Sequence, residues 1–187
     1  HFKQILSLID ADTSDAELAR VRNQALIAAG RVAYGAERYG EASEFFSEVP
    51  RFSEPWFTAM YENAWAYFQQ QSYGRALGEL QSITSPYFSN RHVPEAYVIA
   101  ATTYFVNCQW DRVRREVDLY KRSYEPMLQR LKTYLEENRE SALYYRDVAS
   151  DGSATLDIEL ARDVRDQRRF FDYHFMLTHL AWETRFI

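Results

Sequence analysis

The chain has little cysteine, glycine or proline, and it has no long apolar run. Its 187 residues include one cysteine, 6 glycines and 5 prolines. The single Cys108 excludes an internal disulfide framework and a cysteine-rich zinc site. So few glycines and prolines exclude the collagen-like and low-complexity classes. Because no stretch approaches about 20 apolar residues, the sequence predicts no membrane span within it.

An excess of positive charge is also missing. Lys and Arg number 22 against 27 Asp and Glu, which gives a net charge of −5. Affinity for nucleic acid comes mainly from clustered Lys and Arg that release counterions from phosphates, so the sequence predicts no nucleic-acid partner. Apolar residues make up 47% of the chain and aromatic residues 16%. That is enough to bury a core and to offset the entropy of ordering the chain.

A repeat with a period of 34 residues is the main positive feature. The segment that begins at Ala25 aligns without a gap to the segment that begins at Ala59. Most of the eight aligned pairs match small with small, ring with ring or apolar with apolar: they are Gly30/Ala64, Ala33/Tyr67, Tyr34/Phe68, Tyr39/Tyr73, Gly40/Gly74, Ala42/Ala76, Phe46/Leu80 and Val49/Ile83. A third copy follows after three extra residues and places Trp110 on Tyr73. The second half of this third copy is the least typical.

Such a period is typical of paired antiparallel helices that cannot bury their apolar faces alone and therefore stack on their neighbours. We expect small residues such as Gly30 and Ala64 to lie where the two helices of a pair approach most closely. An aromatic residue, Tyr39, Tyr73 or Trp110, begins the second helix of each pair and covers the tight turn.

At these residues the chain resembles the tetratricopeptide repeat family, over about residues 25–122. The resemblance implies an all-α fold, a tetratricopeptide-like α-α superhelix or helical repeat solenoid of about three helical hairpin repeats. The predicted boundaries are a partial unit over 1–13 and repeats at about 14–52, 53–88 and 91–122. A non-repetitive helical bundle whose copies match by chance is the alternative.

Residues 123–187 are predicted to form a longer C-terminal helical hairpin that caps the stack of repeats. Its first helix begins at Ser123, ahead of Pro126, and its second continues nearly to the last residue, Ile187. A break is expected over 150–153, where Ser, Asp, Gly and Ser follow one another. A coiled-coil arm is the rival interpretation, and either arrangement offers a route to an oligomer.

A partner-binding groove is predicted on the first helices of the pairs, because these helices line the concave side of such a stack. Its candidate residues are Arg31, Tyr34, Tyr61, Trp65, Phe68, Thr102 and Phe105. The composition is aromatic and apolar, which suits an apolar helix or an extended segment, with Trp65 and Tyr61 as anchors. In the alternative interpretation these rings pack against the C-terminal hairpin folded back into the groove.

Residues for catalysis or metal binding are scarce. His174 and His179 are five residues apart, whereas a spacing of four would place both imidazoles on one helix face. Cys108 has no base beside it in the sequence, so a buried or idle thiol is expected. Gly-rich phosphate loops and nucleophile elbows are lacking. The sequence therefore predicts no enzyme, no cofactor and no metal site.

The predicted function is a protein–protein interaction scaffold or adaptor that binds a protein or peptide partner in the groove. The alternative is a regulatory or accessory module of a larger enzyme or envelope complex. Because the chain opens on His1 directly within an apolar helical pattern, we expect a piece of something longer. The units resemble repeats in large bacterial proteins, which implies a location in the periplasm or cell envelope.

Overall fold

The computed structural model describes residues 2–10, 13–88, 92–150, 156, 158–165 and 167–184, except the side chains of Lys3, Glu159 and Asp163. Within these ranges the chain is helical and contains no strand, which confirms the predicted all-α fold. The helices are α1 (Phe2–Leu8), α2 (Ala16–Gly35), α3 (Tyr39–Ser47), α4 (Trp56–Gln69), α5 (Tyr73–Ile83), α6 (Pro94–Val106), α7 (Trp110–Glu137), α8 (Ser141–Ala149), α9 (Ile158–Arg165) and α10 (Arg168–Glu183), with a 3-10 turn at Pro86–Phe88. None of the described helices combines the length and apolarity needed to cross a bilayer.

The chain divides into two compact units, and the first of them runs to Val117. Two helical hairpins form most of this unit, because α2 packs on α3 and α4 packs on α5. Further contacts join α1 to α2, α3 to α4, and α5 to α6. One cluster of buried side chains is centred on Leu26 and Phe46, and a second on Leu80 and Ile99. Each helix therefore buries its apolar face against its sequence neighbours.

The turn after the first helix of each copy has the same backbone conformation. Glu37, Gln71 and Cys108 have φ values of 60°, 58° and 56°. The amide of Glu37 donates to the Tyr34 carbonyl, and the following amide donates to the Ala33 carbonyl, both at 2.9 Å. The same two bonds recur at 2.9 Å in the other two turns. This arrangement ends a helix at a left-handed residue, which is usually glycine. Its recurrence at the repeat offset shows that the period is structural.

Aromatic rings cover these three turns. The helices α3, α5 and α7 each begin at an aromatic residue, as predicted. Each of these rings pairs with the ring five residues earlier, and the pairs are Tyr34–Tyr39, Phe68–Tyr73 and Phe105–Trp110, with centroids 5.2, 5.8 and 5.1 Å apart. Such pairs contribute about 0.5–1.5 kcal/mol beyond the area they bury. They help to hold a turn whose left-handed residue is not glycine.

Gly30 lies where α2 and α3 approach most closely. A Cβ added at this position would lie within 2.8 Å of three ring carbons of Phe46. The ring of Phe46 is itself buried, at 3% exposure, so it has little room to move away. In the second copy the larger Ala64 replaces Gly30, and the smaller Leu80 replaces Phe46. The predicted role of a small residue at Gly30 is therefore confirmed.

We predict that Gly30→Ala lowers the free energy of unfolding by about 1–2 kcal/mol, because overpacking against Phe46 outweighs the gain in helix propensity. Adding Phe46→Leu should recover part of that loss, since the pair then matches the second copy. Gly78→Ala is the matched control: a Cβ there meets nothing within 4 Å, so stability should rise by about 0.5–1 kcal/mol. Urea unfolding of these three variants and of Phe46→Leu alone measures these values, and additive effects at positions 30 and 46 would contradict the interpretation.

The third copy differs from the prediction in its second helix. The predicted repeat ends at Arg122, but α7 continues to Glu137 with Pro126 inside it. This helix meets α6 through its first turn, where Arg112 lies 5.4 Å from the Tyr104 ring centroid. The part of α7 that belongs to the first unit, up to Val117, does not pack along α6 as α3 and α5 pack along their partners.

The exposure of two aligned residues shows the same difference. The residues aligned with the buried Phe46 and Val49 are Val117 and Tyr120, which are 40% and 37% exposed. Neither side chain is buried as Phe46 and Val49 are. Pro126 is tolerated because it and Arg122, whose carbonyl loses its helical donor, are both exposed, so water can supply the hydrogen bond.

The second unit comprises residues 90–92 and the chain from Asp118 onward. Its helices differ from the predicted long hairpin, because the chain forms the remainder of α7 and three shorter helices. The predicted second helix is interrupted: α9 ends at Arg165, and α10 begins at Arg168 after the extended Gln167. Ser150 ends α8 where a break was predicted, while residues 151–153 lie outside the described residues. So does the predicted end at Ile187.

A buried hydrogen bond holds the core of the second unit together. The Tyr134 hydroxyl donates to Asp147 Oδ2 at 2.9 Å, and the two residues are only 5% and 6% exposed. The Arg146 guanidinium also donates to the Asp147 carboxylate, at 3.2 Å. Burial, together with the neighbouring carboxylate, raises the pKa of Tyr134 to about 12. The stabilisation from this phenol is therefore present below its ordinary pKa and is lost as pH rises towards 12.

We predict that Tyr134→Phe lowers the free energy of unfolding by about 1.5–3 kcal/mol, because a buried carboxylate loses a donor. Tyr144→Phe is the control, since its more exposed hydroxyl makes a bond of 3.3 Å to the Leu135 carbonyl. The free energy of unfolding of that variant should fall by less than about 1 kcal/mol. Thermal unfolding of both variants provides the comparison, and equal losses would argue against a special role for the Tyr134–Asp147 bond.

Candidate functional site

A cleft of about 390 Å³ opens on the first unit, and its surface is mostly apolar. Three helices supply its lining, which consists of Arg31, Tyr34 and Gly35 of α2, Phe46 of α3, and Glu62 and Trp65 of α4. The structure therefore brings together three of the seven residues predicted for the groove: Arg31, Tyr34 and Trp65. We call this cavity the α2–α4 cleft.

An ion pair lies at the side of the α2–α4 cleft. Arg31 Nε lies 2.9 Å from both carboxylate oxygens of Glu62, and Arg31 Nη2 also bonds to Glu62 Oε1. The Glu62 side chain is largely covered, at 18% exposure, whereas that of Arg31 is 60% exposed. The hydrogen bond with Glu62 raises the pKa of Arg31 above its usual value. Because the two charges neutralise each other, the cleft favours neither a cation nor an anion.

Two half-buried rings supply most of the flat apolar surface of the cleft. Tyr34 packs edge-on against Tyr39, and its hydroxyl accepts a long hydrogen bond of 3.4 Å from Gln69 Nε2. Trp65 stands nearly perpendicular to Phe68, with centroids 6.1 Å apart. Each ring packs against another ring and is partly exposed to solvent.

The other four predicted groove residues lie elsewhere. Tyr61 and Phe68 are half-buried and pack against the core cluster around Ile99. Thr102 and Phe105 are exposed on α6, where Phe105 contacts Trp110 and the Thr102 hydroxyl donates to the Val98 carbonyl at 2.8 Å. In the repeat alignment Thr102 corresponds to Trp65, and Phe105 to Phe68.

Three lining residues were not among the predicted seven. Glu62 lies three residues before Trp65, a spacing that places both on one helix face, so the sequence did carry that signal. Gly35 lines the cleft with its backbone alone, and the space beside it is open, since a Cβ there would meet nothing within 4 Å. Phe46 comes from the second helix of the hairpin and reaches the cleft because Gly30 leaves room for its ring. The sequence period alone does not predict that Phe46 lines the cleft.

His174, His179 and Cys108 have ordinary surroundings. His174 Nδ1 lies 2.9 Å from the Tyr145 hydroxyl, and His179 Nδ1 lies 3.2 Å from the Phe175 carbonyl. Cys108 is exposed at its left-handed turn position. Among the residues that the structure describes, no three His, Cys, Asp or Glu side chains form a group that could hold a metal ion.

The fold and the cleft define an all-helical, repeat-like protein with a mostly apolar cavity. Comparison of the chain with protein-family models, with curated proteins and with solved structures finds no match. The tetratricopeptide resemblance therefore rests on the sequence period and on the paired helices with their common turn.

We predict that a double-mutant cycle of Arg31→Ala and Glu62→Ala gives a coupling free energy of about 0.5–1 kcal/mol at low salt, because one partner is well exposed. High salt should reduce this coupling, since screening weakens exposed charge pairs. The i,i+3 pair Glu17–Arg20 is the control: both side chains are more than half exposed, so its coupling should be smaller than that of Arg31–Glu62. A coupling near zero at low salt would show that the ion pair does not stabilise the cleft.

Proposed function

We propose that the chain is a tetratricopeptide-type interaction module and that it binds a partner polypeptide through the first helices of its copies. One observation carries this proposal: the copies repeat the same turn geometry, and the aligned positions on their first helices hold rings and apolar side chains. The α2–α4 cleft is part of that surface. Its role is binding rather than catalysis, because its lining supplies three rings and a neutralised charge pair.

The chemistry of the cleft suits an apolar partner segment. Trp65 and Tyr34 offer large, rigid surfaces of the kind that dominate binding energy in protein interfaces. Since Arg31 is already paired with Glu62, a charged partner gains little there, whereas an apolar side chain buries both rings. We therefore favour an apolar helix or an extended segment with one large apolar side chain entering the cleft.

Exposed apolar residues on α6 extend the surface. Val98 and Phe105 are 57% and 55% exposed, and they align with Tyr61 and Phe68 of the second copy. A partner that spans about two copies would contact the cleft and then this part of α6. Such a role fits a scaffold or adaptor, and we extend the proposal to an assembly of the bacterial cell envelope on the resemblance alone.

Photocrosslinking tests the proposed surface in the native cell. A benzoylphenylalanine at position 102, which is exposed on α6, should form an adduct with the partner. Trp65→Ala in the same chain should reduce the adduct about tenfold or more, because removing a central aromatic anchor costs about 2 kcal/mol. Helical circular dichroism should stay unchanged.

The control places the same crosslinker at position 81, where Gln81 is exposed on α5. That chain should give no adduct with the same partner. Equal adducts from positions 81 and 102, or an adduct at position 102 that is insensitive to Trp65→Ala, would rule out the proposed binding surface.

A further inference from the structure

A second pocket, of about 440 Å³, lies in the first unit among α3, α4, α5 and the linker before α4. Unlike the α2–α4 cleft, it combines apolar walls with polar side chains. The residues that decide its chemistry are Arg51, Phe52, Trp56, Met60, Asn63 and Glu79. We call it the Glu79 pocket.

A buried amide holds the carboxylate of this pocket. Asn63 is 2% exposed, and its Nδ2 donates to Glu79 Oε1 at 3.1 Å and to Ser47 Oγ at 3.2 Å. The aligned residues of the other two copies are Ala29 and Ala100, so the hairpin itself does not require a polar side chain there. The second copy thus contains an amide whose contacts position Glu79.

The ionised carboxylate is unfavourable for folding. Burial raises the pKa of Glu79, and the hydrogen bond from Asn63 and the charge of Arg51 offset that effect only in part. A raised pKa means that the folded state binds the proton more tightly than the unfolded chain. The contribution of Glu79 to stability is therefore present below the ordinary glutamate pKa and is lost as pH rises through the raised pKa. A bound cation would compensate the charge.

The aromatic wall includes a strained residue. Phe52 has φ = 65° yet is 69% exposed. A non-glycine residue in this conformation costs on the order of 1–3 kcal/mol, and such strain is often found at functional sites. Here it places the Phe52 ring against Trp56, with centroids 4.8 Å apart, and 5.7 Å from Tyr87. The pocket thus has aromatic surface close to a half-buried carboxylate.

We propose that the Glu79 pocket binds the basic side chain of a partner peptide, with its guanidinium or ammonium group between the Phe52 and Trp56 rings and the Glu79 carboxylate. Cations are attracted to aromatic faces, and a charge-assisted hydrogen bond to a carboxylate adds direction. This site is separate from the α2–α4 cleft, and the proposal does not rest on the function assigned to that cleft.

Arg51 makes the proposal sharply testable. It lines the same pocket, and its charge partly offsets the raised pKa of Glu79. Its charge opposes the entry of a second cation and would attract an anion instead. Removing Arg51 should therefore strengthen the binding of a cation, whereas removing the charge of Glu79 should weaken it.

The test is an NMR titration that follows the indole N–H of Trp56. The probe is Nα-acetyl-arginine amide, and the matched control is Nα-acetyl-citrulline amide, which has nearly the same shape without the charge. Arginine should shift the Trp56 signal saturably, and citrulline should bind about tenfold more weakly or worse. Glu79→Gln should weaken arginine binding about tenfold and raise Tm near neutral pH, a combination that a purely structural carboxylate would not give. Arg51→Gln should tighten binding roughly threefold.

Phe52→Leu is a second variant, and it should fold normally because the Phe52 ring is exposed. It should weaken arginine binding severalfold while the remaining NMR spectrum is preserved. Equal binding of arginine and citrulline, or unchanged binding in Glu79→Gln, would overturn the proposal. Weaker arginine binding in Arg51→Gln together with tighter arginine binding in Glu79→Gln would overturn it as well.

Discussion

The contact between the Phe46 ring and the bare backbone of Gly30 is the one on which the rest of the first unit depends. It sets how closely α2 and α3 approach, because a single added carbon would meet three atoms of the ring. The same ring belongs to the core cluster around Leu26, and it lines both the α2–α4 cleft and the Glu79 pocket. The packing that holds the first hairpin together therefore also shapes both candidate sites.

The three turns show how tertiary packing overrides local preference. Glycine is the residue that most easily adopts the left-handed conformation, yet the copies use Glu37, Gln71 and Cys108. In each copy an aromatic pair covers the turn, and paired amides satisfy the last carbonyls of the helix. The conformation is thus imposed by neighbours that recur at the same spacing, and the residue at the turn itself is free to vary.

The sequence predicted those features that depend on spacing. The period of 34 residues located the first two hairpins, the aromatic starts of the second helices and the tight position at Gly30. It failed at α7, where Pro126 looked like the start of a helix but lies inside one. A proline is compatible with either position when its surroundings are exposed, so local signals could not decide between them.

The candidate sites were harder to predict, because they depend on contacts between different helices of the first unit. Periodicity placed Arg31, Tyr34 and Trp65 on one face, and the structure brings them together. The partners Glu62 and Arg31 lie 31 residues apart, and Asn63 meets Glu79 only because α4 packs on α5. No pattern within a single helix distinguishes a polar residue that faces solvent from one that positions a carboxylate.

The shared ring between the two cavities has a thermodynamic consequence. If a ligand in one cavity shifted the Phe46 ring, the volume of the other cavity would change, and the affinity of the other cavity would change with it. Linkage requires such an effect to be mutual and equal in free energy, whichever molecule arrives first. One side chain would then couple two unlike ligands through the first hairpin.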